Sequence, residues 1–210
     1  RFQSGLQLEY TNQPLVQENI QFYLKNRRIL EDSQQRIRYY LFFIMDELDK
    51  QGIPLDVALI PLIESQYNPF ASSGQPAGLW QFMPATGRRF NLYSSNWYDG
   101  RRDPVESTKA VATYFRYLMN YFNNDFLLAL AAYNSGEGTV QNAINRNRRA
   151  GKPTDYWHLD LPGVTRTYIP KMVALAEIFK HPERYQLTLQ AIDDKPYFTP
   201  IKIDNGITLA

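Results

Sequence analysis

Between Asp125 and Asn134 the chain reads FLLALAAY, eight residues with no charge and three alanines, closed by Asn134-Ser135-Gly136. So apolar a run, too short to cross a membrane, belongs at the centre of a core. Ala129, Ala131 and Ala132 let neighbouring helices approach it closely. The fold it demands is therefore one of helices packed around a short central helix.

The rest of the chain supplies those helices. Leu15, Ile20, Tyr23 and Leu24, then Ile37, Tyr40, Leu41, Ile44, Met45 and Leu48, mark two amphipathic helices. A break is expected near Glu31–Ser33, with Asp32 or Ser33 as the N-cap, and Gly52 suits the end of the second helix. Asp103-Pro104-Val105-Glu106 combines an N-cap acid, Pro at N1 and Glu at N3, so it starts a helix running to about Phe122. Glu137 to about Asn147 continues as a basic helix into Arg146, Arg148 and Arg149. Thr165 suits the cap of a last helix to about Lys180, in which Pro170 makes a kink or marks the true start.

The flanks read differently. Residues 1–13 lack periodicity and suit an extended arm, while 186–210 alternate polar and apolar residues. There PYFTPIKI forms a second extended run, and Gly206–Ala210 looks like the opening of a further element. The expected architecture is mainly α, with an N-terminal arm and packing helices (1–53), a catalytic unit (54–185) and a small extended or β C-terminal appendage (186–210).

Lys and Arg total 23 against 21 Asp and Glu, a net charge of +2, so nothing argues for nucleic acid. Arg88-Arg89 and Arg101-Arg102 read as solvated pairs. With no cysteine and two histidines there is no disulfide framework and no visible metal ligand set. No apolar run is long enough for a transmembrane segment, and a start at Arg1 suggests a mature or trimmed chain.

Chemistry concentrates in VALIPLIESQYNPFASSGQPAGLWQFMPATG, residues 57–87. From Val57 to Tyr98 the only acid is Glu64. Leu55, Leu59, Leu62 and Ile63 predict one short buried helix from Ile53 to about Tyr67, with Glu64 in its last turn. An apolar wall and the negative helix end both disfavour the ionised form, so the pKa is expected to be raised, as suits a general acid. Residues 68–77 form a loop, and helix resumes from Gly78 to about Phe90. On the residues alone, Ser73 suits a cap better than a site, Gln81 and Met83 the core, Tyr133 a core tyrosine, Tyr168 a core or capping tyrosine, and Asn134 a helix stop. Tyr93, Trp97 and Tyr98 suit either sugar stacking or half-buried packing.

Four blocks together resemble a known family. Glu64-Ser65 with Asn68-Pro69, Ala71 and Ser73 is followed by Ala77-Gly78-Leu79-Trp80-Gln81-Phe82-Met83-Pro84 with Thr86-Gly87. Ala131-Ala132-Tyr133-Asn134-Ser135-Gly136 comes next, then Tyr168-Ile169-Pro170-Lys171-Met172. In this order they resemble the family 1 lytic murein transglycosylases, whose catalytic domain is lysozyme-like of the goose type. NWYDGRRDPVEST at 96–108 and EGTV at 137–140 bring the pattern nearest the membrane-bound lytic murein transglycosylase D subgroup.

The resemblance implies that Glu64 is the single catalytic acid and base. Ser73 and Gln81 are implied beside it, Met83 against a sugar ring, Tyr133 near the acid, Asn134 lining the cleft and Tyr168 facing the acid. It implies non-hydrolytic cleavage of the MurNAc-GlcNAc bond of peptidoglycan with 1,6-anhydro ends, no cofactor, and a periplasmic enzyme often lipid-anchored to the outer membrane. An anchor and C-terminal peptidoglycan-binding repeats would lie outside these residues. A goose-type hydrolase and an inactive glycan-binding module are the competing expectations.

Overall fold

The structure is a computed structural model that describes residues 1–10 and 12–199. The chain forms α1 (Phe2–Gly5), α2 (Pro14–Lys25), α3 (Arg28–Lys50), a 3-10 turn (Leu55–Leu59), α4 (Ile60–Glu64) and α5 (Pro84–Arg89). It continues through α6 (Pro104–Tyr121), α7 (Phe126–Ser135), α8 (Glu137–Arg149) and α9 (Gly163–Lys180). The expected central segment is α7, in which Leu128 to Ala132 are all buried, and α6, α8 and α9 pack on it. Asp125 starts it by accepting from Leu128 N at 3.0 Å. Asp103 caps α6 as its sequence demands, accepting from Val105 N and Glu106 N.

The first two long helices divide earlier than their pattern suggested. The break falls at Asn26–Arg27, and Asp32 and Ser33 lie inside α3. Leu30, Ser33, Gln34, Ile37 and Leu41 form one continuous buried face, which keeps the helix intact. Ser33 is a back-bonded residue and not a cap, its hydroxyl donating to the Ile29 carbonyl at 2.6 Å. Gly52 ends α3 as expected. At φ +64° it donates to Asp49 O while Ile53 N donates to Leu48 O, a Schellman pair that only a left-handed residue closes easily.

The N-terminal arm is tied down. Leu6 and Leu8 are buried, and Gln7 N and Leu8 N donate to the buried Asp56 carboxylate at 2.7 and 2.8 Å. Lys180 Nζ at the end of α9 donates to Leu8 O at 2.8 Å. At the other end, residues 186–199 run without helix or strand, and Gln190 N donates to the Gln34 side chain at 2.6 Å. Tyr197 packs edge-on against Tyr39. The remainder of the expected second extended run, and Gly206–Ala210, lie outside the described residues.

Helix α9 starts at Gly163 and passes straight through Pro170, so Thr165 is an interior residue rather than its cap. Proline supplies no N–H for the Arg166 carbonyl one turn back. That carbonyl is met by the buried Tyr156 hydroxyl at 3.0 Å, whose single proton it shares with Thr165 O at 3.1 Å. A side chain from the preceding loop thus repairs the defect Pro170 makes. Tyr156→Phe should leave the Arg166 carbonyl without its buried donor, lower stability by about 1–3 kcal/mol in denaturant titration and leave circular dichroism unchanged.

Candidate active site

Glu64 is the last residue of α4. The expected single helix over 53–67 is instead a 3-10 turn followed by this short α-helix, because the chain must turn sharply straight after the acid. Gln66 and Tyr67 are both left-handed, at φ 51° and 60°. For two consecutive non-glycine residues this costs about 1–2 kcal/mol each. Burial of Tyr67, with its hydroxyl donating to Ala58 O at 2.5 Å and its N–H to Pro61 O at 3.0 Å, offsets that strain.

Burial pushes the Glu64 carboxyl above the ordinary glutamate range, and the Tyr168 hydroxyl and the Lys171 ammonium partly pull it back. The Tyr168 hydroxyl is itself buried and has no well-formed hydrogen bond among the described residues, so it faces the carboxyl as an uncommitted donor. Glu64 raises the pKa of both Tyr168 and Tyr133, behind burial as the main cause, and Tyr133 acts on Tyr168 as well. Glu64, Tyr133 and Tyr168 therefore share one electrostatic environment. The groups that shift Glu64 are a tyrosine and a lysine, not a second carboxylate.

The loop after the acid is held by three consecutive residues. Ser65 Oγ, next to Glu64, lies 2.8 Å from Leu79 O, Tyr133 Oη donates to Trp80 O at 2.7 Å, and Ser73 Oγ donates to Gln81 Oε1 at 2.8 Å. Gln81 Nε2 in turn donates to Ala71 O and Gly78 O. Helix was expected from Gly78, but Ala77 to Phe82 is a tight turn with Ala77 bridged to Phe82, and α5 begins only at Pro84. Gly78 and Gln81 have positive φ, which no helix accommodates. A Cβ at Gly78 would sit 1.7 Å from Arg101 O, so the two loops meet where only glycine fits.

Met83, at the N-cap of α5, keeps 43% of its surface exposed. Asn134 is the last residue but one of α7, and its Oδ1 accepts from Thr165 Oγ1 at 2.9 Å, which fixes the amide and ties the end of α7 to the start of α9. The structure thus gathers Glu64, Tyr133 and Tyr168 directly. Ser73 and Gln81 are joined to them through the 77–82 turn.

The family model described as the transglycosylase SLT domain matches residues 42–155, more than half of the chain. The chain belongs to this family. The chain is 39% identical over 93% of its length to membrane-bound lytic murein transglycosylase D of Escherichia coli (strain K12), and spans 43% of that protein. It is 34% identical to a putative tributyltin chloride resistance protein of Alteromonas sp. (strain M-1), with 83% of each chain covered. In fold it resembles the X-ray structure of an inactive mutant of lytic transglycosylase Slt from Pseudomonas aeruginosa. That likeness has a TM-score of 0.51 and 24% identity, over 70% of this chain and 24% of that one.

Several residues that shape the SLT domain's site escaped the sequence reading. Arg101 and Arg102, taken as a solvated pair, are loop fasteners. Arg101 pairs with Asp99 at 2.8 Å and donates to Gln75 O and Phe82 O, and Arg102 donates to Phe70 O. Arg89 is ion-paired to Glu137 at 2.7 Å and lies over Tyr117. Lys171, which stands beside Tyr168 in the fourth block, carried no assigned role although it acts on Glu64. Three of these contacts end on backbone carbonyls, and no sequence pattern marks a carbonyl as needing a donor.

Two outcomes follow for the SLT domain. A folded-state pKa raised above the unfolded value near 4.3 means that the stability from Glu64 is fully present below about pH 4 and is lost as pH rises through the folded pKa. Glu64→Gln should therefore melt higher than the parent at pH 7, with the gap closing towards pH 4 in calorimetry. Gly78→Ala must move the Arg101 backbone and should lose more than about 3 kcal/mol in the same scans.

Proposed function

We propose that this SLT domain cleaves the glycan strands of peptidoglycan without water, breaking the bond between N-acetylmuramic acid and N-acetylglucosamine. The observation that carries this reading is the half-buried Glu64 carboxyl with a raised pKa, faced by Tyr168 and Tyr133 and shifted by no second carboxylate among the described residues. Membership of the family and the name of the Escherichia coli relative support the same substrate.

Glu64 in its protonated form donates to the glycosidic oxygen, and the bond from C1 of the muramic residue to that oxygen breaks. A retaining or inverting hydrolase would need a second carboxylate as nucleophile or base. With no second carboxyl acting on Glu64 among the described residues, the substrate's own acetamido group stabilises the cation at C1. Glu64, now a carboxylate, takes the proton from the C6 hydroxyl, and O6 bonds to C1 to close the 1,6-anhydro ring. The proton count closes on Glu64 and no water enters.

In this cycle Tyr168 and Lys171 favour the carboxylate that forms after the first transfer. Ser73, Gln81 and Asn134 hold substrate polar groups along the cleft, and Met83 presents apolar surface to a sugar ring. The membrane-bound name of the relative fits action in the bacterial periplasm, where this polymer lies. Among the described residues no helix is long and apolar enough to cross a membrane.

Mass spectrometry of fragments released from purified peptidoglycan should find products about 18 Da lighter than hydrolytic ones. Glu64→Gln should lower their rate about 10²–10⁴-fold. Hydrated reducing ends would instead assign a goose-type hydrolase. Because Tyr168 and Lys171 both lower the Glu64 pKa, Tyr168→Phe and Lys171→Met should each move the alkaline limb of the pH–activity profile to higher pH.

A further inference from the structure

The hairpin from Tyr93 to Asp99 exposes aromatic surface that the fold does not use. Trp97 is 97% exposed, Tyr93 68% and Tyr98 41%, and the two tyrosine rings lie nearly parallel, 22° apart with centroids 6.4 Å from each other. Single exposed aromatics need no explanation, but three on one short hairpin form a patch.

The hairpin is also rigid. Ser95 N donates to Tyr98 O at 2.7 Å, and Ser95 Oγ accepts from Trp97 N and Tyr98 N. Ser94 bridges to Asp99, Gly100 N donates to Tyr93 O at 2.8 Å, and Tyr98 Oη donates to Asp103. A backbone fixed in this way loses little conformational entropy when the hairpin binds.

Beside the hairpin is a pocket of about 520 Å³ lined by Pro84, Arg88, Asn91, Tyr93, Ser94 and Arg101 among others. Pro84 directly follows Met83, and Arg101 is the side chain that fastens the Gln75 and Phe82 carbonyls of the loop bearing Gln81. The pocket therefore abuts the wall of the candidate cleft. Arg89 and Arg101 are ion-paired, to Glu137 and Asp99, whereas Arg88 has no acidic partner among the described residues.

We infer that this hairpin and pocket form an outer subsite for a peptide-bearing glycan strand. Tyr93, Trp97 and Tyr98 stack on the apolar faces of sugars beyond the cleft, and Arg88, with Asn91 and Ser94, receives a carboxylate of the attached peptide. Sugar rings present apolar C–H faces that match flat aromatic surface, and polymer continuity brings those rings to the hairpin once the strand lies along Met83. The charge matches as well, an unpaired guanidinium meeting an anionic peptide. The inference rests on the reading of Glu64 as the acid that acts on the same strand.

The test uses the Glu64→Gln chain, so that fragments survive, and soluble peptidoglycan fragments of at least six sugars with and without peptides. Trp80 is buried and Trp157 is half-buried against the core, so the fully exposed indole of Trp97 should dominate any change in tryptophan emission. Peptide-bearing fragments should shift emission to the blue, and the combined Tyr93→Ala and Trp97→Ala substitutions should abolish the shift and weaken binding about tenfold in calorimetry. Arg88→Gln should weaken binding of peptide-bearing fragments while leaving peptide-free ones unchanged.

No shift with any fragment, a shift that survives Trp97→Ala, or a shift with phospholipid vesicles in place of glycan would overturn the subsite. Equal effects of Arg88→Gln on both fragment types would overturn the carboxylate assignment. The two readings fail separately. An active parent with silent Trp97 removes only the outer subsite, and an inactive parent whose Trp97 responds removes only the cleavage chemistry.

Discussion

A carboxyl group set half out of water against an apolar core is the constraint to which the rest of this structure answers. Desolvation of Glu64 raises its pKa and burdens the fold whenever the group is ionised. The surroundings limit that burden without removing it, since Tyr168 and Lys171 stabilise the charge and leave the net shift upward. The energy to hold such a group comes from the core behind it. Val57 to Leu62 are buried almost completely, and α9, which carries Tyr168 and Lys171, packs against the preceding 3-10 turn. A proton donor suited to glycosidic chemistry is thus a local loss of stability that a large apolar cluster tolerates.

The second dependence is on backbone carbonyls. The turn from Ala77 to Phe82 has few of the internal bonds a helix would supply, so donors from elsewhere hold it. Ser65, Tyr133, Arg101 and Gln81's own amide all end on carbonyl oxygens within or beside it. Two of these donors come from residues adjoining or facing Glu64, so the position of the acid and the position of the cleft wall are set by the same contacts. Displacing α7 by a fraction of an ångström would move both Tyr133 and the turn it grips.

The sequence was most legible where burial has a period. FLLALAAY lies at the centre of the core, Asp103-Pro104 starts its helix, and Gly52 ends another, each for the reason its residue type suggested. It was least legible where tertiary contact overrides a local signal. Ser33 looks like a cap but sits on a buried face, and Thr165 looks like a cap but serves Asn134. Gly78 to Gln81 follow a helix-compatible pattern, yet they form a turn because Gly78 must meet the Arg101 carbonyl. At the site, Glu64 stood out by its isolation among acids, and the tyrosines that face it were found through the four family blocks. Arg101, Arg102 and Lys171 were not, since their work is done on carbonyls and on a charge distant in the chain.

The fold keeps the Glu64 carboxyl protonated beyond the ordinary glutamate range, and direct titration of that group tests this. Carboxyl-carbon NMR of the chain labelled at glutamate, with Glu64 assigned by its loss in Glu64→Gln, would follow the group through pH 3–9. The account predicts a midpoint clearly above the usual value near 4.3, moving further up in Lys171→Met. A midpoint at or below that value would contradict it, because a carboxylate already ionised under working conditions has no proton to give the glycosidic oxygen.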